Sequence, residues 1–367
     1  MDRFPPTPMS DLVDEPCRYD LAESTSPPLL LGSLLSSSGL EDLPLGYGTT
    51  PGSAALRTVV ASDLGVDASE VLLTPGGVAG MFLVALVTCG ADAHAVVATP
   101  CFPPAVSVLT ALGASVSTVP LSFSAGYRLD VPAMLAAVRP STRLVSVASP
   151  QNPSGVRMAA RDLASLVAGV ARVAPDAVVL VDETYRDGAY DGVPAPSAAS
   201  LGPSVVTCSS LSKAYGAPGL RVGWLTATSP DLYERLRRAK FTSLISGSAV
   251  DEALALEVLR QRSEVLGSRQ TALRAALATL TSWAAAVPSV ELLRPDAGAL
   301  CCLRLGPEVS VSRFYAELAS RDVRVGRGSW FSESDRVFRL GFGHLPPDLF
   351  AEALDRLGSA VTAARDE

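Results

Sequence analysis

Residues 204 to 224 read SVVTCSSLSKAYGAPGLRVGW, and the fold follows from how that stretch is divided. Val205 to Cys208 is an apolar, β-branched run bounded by turn formers, which predicts a buried strand. It empties into a loop of Ser, Gly and Pro that carries a single lysine, Lys213. Of the 30 lysines and arginines in the chain, only Lys213 and Lys240 are lysine. Where arginine supplies nearly all the positive charge, a lysine set among small residues points to a need for its amine, which can lose a proton and form a Schiff base as a guanidinium cannot. A solvated loop charge is the other reading of the local stretch.

Outward from this strand the pattern alternates. Strands are expected at Val71–Leu73, Ala95–Ala98, Leu144–Val147, Ala177–Val181 and Val222–Leu225, with helices near Ala54–Ser62, from Val78, after Pro104 and over Asp162–Val173. Strand–helix alternation of this length predicts an α/β domain on a mostly parallel sheet. After Pro230 longer helical runs follow, Leu232–Lys240 and Asp251–Leu280, then short strands near Leu300–Leu305 and Val337–Leu340. The expected organisation is an arm with part of a small domain over 1–45, a large domain over 46–235 and a smaller α+β domain over 236–367.

The 367 residues, 48% hydrophobic and 18% charged, describe a globular chain, and no uncharged apolar run reaches the length of a membrane span. Prolines and acids occupy the start, where a signal peptide needs a basic segment and an apolar core, so a cytoplasmic protein is expected. The six cysteines lack C-x-x-C spacing and read as free thiols. A net charge of −7 gives no basic footprint for nucleic acid or an anionic membrane, which leaves a small-molecule partner. His94 and His344, the sole histidines, rule out a histidine-rich metal site, and no metal is expected; His94 is expected to start a strand.

In a parallel α/β sheet, ligands sit outside the carboxyl ends of the strands, so the residues there carry the functional reading. After the strand at 71–73 come Gly76, Gly77 and Val78 opening a helix, whose free amides and dipole suit a phosphate. After 95–98 comes Phe102, an aromatic where a planar ligand could stack. After 144–147 comes Asn152 in a Pro and Gly-rich turn. Asp182 closes the run Val178–Val181, and a carboxylate there calls for a cationic partner. Ser210, Ser212 and Lys213 follow the strand at 205–208, with Arg221 eight residues beyond the lysine. Each has a plainer reading as turn, core or surface residue. Together they place phosphate donors, an aromatic, an amide, an acid, an amine and an arginine on one edge.

The ordered set G-G, P-x-F, N-P-x-G, D-x-x-Y, S-x-S-K and G-x-R-x-G resembles that of class I/II aminotransferases, the fold-type-I enzymes that use pyridoxal 5′-phosphate (PLP). The resemblance runs from Tyr47 in LGYGTTPGSAALR to Arg339 in VFRLGFG. It implies that Lys213 holds PLP covalently and moves protons, that Asp182 pairs with the pyridine nitrogen, and that Asn152 and Tyr185 bond the cofactor's phenolic oxygen. By the same likeness Phe102 stacks on the ring, and Ser210, Ser212, Arg221 and the Gly76–Val78 segment form the phosphate cup. Arg339 takes the substrate α-carboxylate, and Tyr47 reaches the phosphate of a neighbouring subunit in a homodimer. Two departures stand out: Val78 where relatives often have a hydroxyl residue, and the segment Asp20–Pro27, in the place of a substrate lid, whose Glu23 would meet a cationic or amino group of the substrate.

The function implied is an aminotransferase-type reaction on a small amino acid or keto acid, in specialised metabolism. The wording SKAYGAPGLRVGW also resembles members that eliminate, cyclise or decarboxylate. A third reading, an effector-sensing module joined to a DNA-binding segment, lacks the basic N-terminal helix-turn-helix it requires.

Overall fold

The computed structural model describes residues 4, 7–35 and 40–365. Thirteen strands are described: β1 (Tyr19–Asp20), β2 (Val71–Thr74), β3 (His94–Thr99), β4 (Ser115–Pro120), β5 (Thr142–Ala148), β6 (Val178–Asp182), β7 (Val205–Ser210), β8 (Gly223–Ala227), β9 (Val290–Leu293), β10 (Leu300–Leu305), β11 (Val323–Arg324), β12 (Gly326–Arg327) and β13 (Val337–Gly341). Seven form one sheet in the order β2-β8-β7-β6-β5-β3-β4, in which β8 alone runs antiparallel to its neighbours. The register sets Ala148 beside Asp182 and Asp182 beside Cys208, so three strands end on one edge.

Both faces of this sheet are covered, which explains why its strands read as unbroken apolar runs. Val178 and Leu180 pack on one face with Val97, Val206 and Leu236. Val179 and Val181 pack on the other with Val145, Leu166 and Val170. The helix Ala160–Val173 turns Leu163, Leu166, Val167 and Val170 inward, the spacing of a single helical face. Capping agrees with the sequence: Ser53, Ser229 and Ser248 each accept a backbone amide at the start of a helix.

A second, antiparallel sheet, β12-β13-β10-β9, packs with the helices Arg262–Ala286, Val311–Ser320 and Pro347–Ala363 around another core. That core takes in Tyr19 and Leu21 from the N-terminal segment, where β1 pairs in parallel with β11. The helical run expected over Asp251–Leu280 is corrected to two helices, Ala249–Arg260 and Arg262–Ala286, because Gln261 at φ −90° and ψ 13° leaves helical space. Among the described residues no helix is long and apolar enough to cross a membrane. All six cysteines are free.

Candidate active site

The loop after β7 is a tight turn. Gly216 donates its amide to the Lys213 carbonyl at 3.1 Å, and the strap formed by the N-terminal segment leans on it, Ser26 donating to the same carbonyl at 3.3 Å. This brings the strap's side chains to the lysine. Lys213 Nζ donates to Glu23 Oε1 at 3.5 Å and to Ser24 Oγ at 3.3 Å. Ser24 Oγ in turn lies 2.9 Å from the Tyr185 hydroxyl. Burial pushes the Glu23 carboxyl up, but the charges of Lys213 and Arg339 outweigh it and hold the pKa below the usual carboxylate value. Glu23 is therefore ionised at neutral pH.

Asp182 closes β6 and is half-buried. Its Oδ1 accepts from Thr184 N at 2.9 Å and from Thr184 Oγ1 at 2.6 Å. Burial pushes its pKa up, against those bonds, the Cys208 thiol and the Lys213 charge. No described arginine, lysine or histidine forms an ion pair with it. Asp182 and Phe102 line one narrow cavity of about 20 Å³, with Met81, Ala148 and Gln151 on its walls.

Arg339, on β13 opposite Cys302, is 2% exposed. Its Nη1 donates to Asn152 Oδ1 at 2.9 Å and its Nη2 to the Ala22 carbonyl at 2.6 Å, while its guanidinium lies 4.7 Å from the Phe331 ring centre. Nε has no partner. Burial lowers the pKa of this guanidinium, although Tyr185 and Glu23 oppose the shift. Asn152, expected against the ring oxygen, also aims Arg339 through its side-chain oxygen.

The turn after β2 meets the loop before β8. Gly76 has a φ of 78°, which favours glycine, and a Cβ added there would sit 2.5 Å from Arg221 Nη2. A Cβ on Gly223 would sit 2.6 Å from the backbone of Gly76 and Ser209, so only glycine lets these strands' ends close up. Arg221 itself takes a φ of 50° and anchors Nη1 on the Pro218 carbonyl at 2.9 Å. Gly77 lies against Ser209 and Thr184, and Ser210 Oγ accepts the Ser212 amide at 3.3 Å. Val78 projects outward at 41% exposed. Tyr47 is 87% exposed and makes no contact with this pocket among the described residues.

The family profile "Aminotransferase class I and II" matches residues 42–357. The chain belongs to the class I and II aminotransferases. Capreomycidine synthase of Streptomyces vinaceus is 30% identical over 339 residues, covering 91% of this chain and 86% of that protein. A PLP-dependent aminotransferase from Streptococcus suis 89-1591 superposes with a TM-score of 0.91 at 24% identity, over 100% of both chains. The PLP-dependent cyclase OrfR superposes with a TM-score of 0.86 at 24% identity, over 99% of this chain and 98% of its own.

The aminotransferase is thus a PLP-dependent enzyme with the fold-type-I architecture. Its donor set fits that cofactor: an amine for the aldehyde, a half-buried carboxylate without an ion-pair partner among the described residues for the ring nitrogen, and a helix N-terminus beside Arg221 for the phosphate. Sequence reasoning missed Thr184, Cys208 and Ser24. The D-x-T spacing of Asp182 and Thr184 is a local turn signature that could have revealed the first. Cys208 and Ser24 have no such signal, because pairing across strands and the path of the strap bring them in.

Proposed function

We propose that this aminotransferase-type enzyme acts on an amino acid with a cationic side group, in specialised metabolism, as a homodimer in the cytoplasm. The observation that carries the reading is Asp182, a half-buried carboxylate with no ion-pair partner among the described residues, which lies beside Cys208 on the strand that leads to Lys213 and feels the lysine's charge. PLP, when bound, supplies an electron sink conjugated to the substrate Cα.

The residues of the chain do the rest. Lys213 is the residue assigned to hold PLP covalently, and its amine, once free, takes the proton from the substrate Cα. Asp182, fixed by Thr184, would keep the ring nitrogen protonated. Tyr185 and Asn152 would bond the ring oxygen, and Phe102 would stack on the ring. Gly76, Gly77, Val78, Ser210, Ser212 and Arg221 hold the phosphate, the guanidinium giving charge-assisted contacts. Arg339, with Nε unpartnered among the described residues, binds the substrate α-carboxylate.

Glu23 sets the substrate class. Its Oε1 accepts from Ser24 N at 2.7 Å and faces Lys213, so once the lysine amine is committed to the cofactor a carboxylate is left without its nearest cation. A substrate ammonium or guanidinium restores the balance. Tyr47, exposed beside Leu45 at 81% and with Phe241 at 55%, supports a partner subunit covering this face. Unpaired thiols suit a reducing compartment. We propose three parts of the chain: an arm with part of the small domain over 1–45, a large domain over 46–235 and a small domain over 236–367.

A second reading, elimination or cyclisation on the same substrate class, is favoured by capreomycidine synthase, a synthase by name, matching 91% of the chain. One experiment tests both. Borohydride reduction of the holoenzyme should leave the pyridoxyl label on Lys213; a label on Lys240 would sink the assignment. An amino acid given alone should then convert the cofactor once to its amine form, restored by a keto acid. Continuous turnover without keto acid establishes the second reading instead.

A further inference from the structure

Directly behind the site lies a buried ionic cluster that the chemistry above does not use. Arg186 and Asp187 follow Tyr185 and are 8% and 6% exposed. Arg186 Nη1 lies 2.8 Å from Asp63 Oδ2 and 3.0 Å from Asp187 Oδ1, and its Nε donates to the Ala195 carbonyl at 2.8 Å. Asp187 Oδ2 accepts from the Tyr215 hydroxyl at 2.8 Å, and its Oδ1 lies 3.4 Å from Arg262 Nη2. Arg262 also pairs with Asp63. Two acids and two arginines balance, with Glu183 the further charge that Arg186 feels.

Four elements meet here. Asp63 ends the helix Ala54–Leu64, Arg186 and Asp187 form the turn after Tyr185, Tyr215 lies two residues past Lys213, and Arg262 opens the helix Arg262–Ala286. The bond from Tyr215 to Asp187 therefore ties the Lys213 turn to the Tyr185 turn from behind. In front, Ser24 ties the same two residues, Lys213 Nζ on one side and the Tyr185 hydroxyl on the other. Backbone and hydrogen bonds close a ring around the reacting amine. An apolar cluster of the same volume would avoid the desolvation these charges suffer, but it would fix no particular spacing.

We propose that Asp187 is a positioning residue, which holds the Lys213 and Tyr185 turns at their working separation through Tyr215 and is itself fixed by Arg186 and Arg262. The proposal rests on the assignment of Lys213 and Tyr185 to the PLP site. Without the clamp, the Lys213 turn keeps its strap and turn bonds and the core packing of Leu211, Ala214 and Tyr215 but loses its hydrogen-bonded tie to the Tyr185 turn, so the lysine samples positions in which its surroundings of Glu23, Ser24, Tyr185 and Asp182 are altered.

The test uses the full-length holoenzyme and two variants, Tyr215→Phe and Asp187→Asn. The readouts are the pH midpoint of the bound cofactor's absorbance, kcat and KM, and Tm. Tyr215→Phe removes one hydroxyl and is expected to move Tm by no more than about 4 °C. It should nevertheless shift the pH midpoint by about half a unit or more, and lower kcat about tenfold with KM nearly unchanged. Asp187→Asn should move the midpoint in the same direction, with a larger loss of Tm. An unmoved midpoint in Tyr215→Phe overturns the clamp and leaves the cluster a structural one; this variant decides the matter even where Asp187→Asn does not fold. Borohydride labelling of the wild type separates the two levels. A wild type without label on Lys213 brings down the site assignment and the clamp with it, whereas a labelled wild type with unmoved midpoints brings down the clamp alone.

Discussion

Glu23→Gln removes one charge and keeps the shape of the side chain. The amide oxygen can still accept the Ser24 N–H that Glu23 Oε1 accepts at 2.7 Å, so the strap should keep its path. What is lost is the attraction for a cation about where Lys213 Nζ now lies, 3.5 Å away. Two unit charges at such a distance attract by about 5 kcal/mol in an effective dielectric of about 20. Both side chains remain about a quarter exposed, at 25% and 23%, so solvent screening reduces this. A charge-assisted hydrogen bond of about 1.5–3 kcal/mol is the better measure. It corresponds to about a 10- to 150-fold loss of kcat/KM for a substrate with a cationic side group. The assay compares an amino acid carrying a guanidinium or ammonium group with a neutral one of equal length. The wild type should favour the first and Glu23→Gln should erase that preference, leaving the neutral substrate within about twofold. Because Glu23 titrates below the usual value, the wild-type preference should persist at neutral pH and fade only as pH falls through the depressed pKa. Equal losses for both substrates would refute a side-chain contact and return Glu23 to the role of a strap residue that pairs with Lys213.

Glu183, 4% exposed, is pushed up to about 7 by burial, against the bonds from Ala198 and Ser197. A carboxyl raised in this way stabilises the fold below its ordinary value near 4.5 and loses that contribution as pH rises through about 7. Glu183→Gln should thus gain up to about 3 kcal/mol on the wild type between pH 5 and pH 8 in urea unfolding; a constant difference across that range would contradict it. Asp182 shifts in the same direction, so apo Asp182→Asn should unfold later than apo wild type at neutral pH, while the loaded variant turns over far more slowly at nearly unchanged PLP affinity. Parallel losses of affinity and turnover would speak against that division between ring electronics and phosphate binding. Arg339→Lys keeps the charge but loses the fork, so KM for substrates with a free α-carboxylate should rise with little change for decarboxylated analogues; equal effects on both would remove Arg339 from the carboxylate site.

Much of this enzyme was legible along the chain because its large sheet is buried on both faces. Val178–Val181 is apolar at every position and Val205–Cys208 at every position but Thr207, whose hydroxyl bonds Thr226, so each shows as a nearly continuous run ending at the functional edge, with Asp182 and Lys213 just beyond. Two strands at the margins of the sheets left no such trace. Ser115–Pro120 lies at one edge of the large sheet and is only partly buried, and Val290–Leu293 lies at the edge of the small one, so neither needs an apolar pattern that stands out. The break at Gln261 was invisible for a related reason, since the residues on both sides favour helix and only the packing of the two segments selects the kink. What the chain could not announce at all are contacts between residues far apart in sequence. Ser24 between Lys213 and Tyr185, Asn152 on Arg339, and Asp187 on Tyr215 join residues 28 to 189 positions apart. The chemistry of a lysine or a carboxylate is intrinsic to its residue type and can be read from one position; which partner fixes its orientation and ionisation depends on distance and burial, and those exist only after the chain has folded.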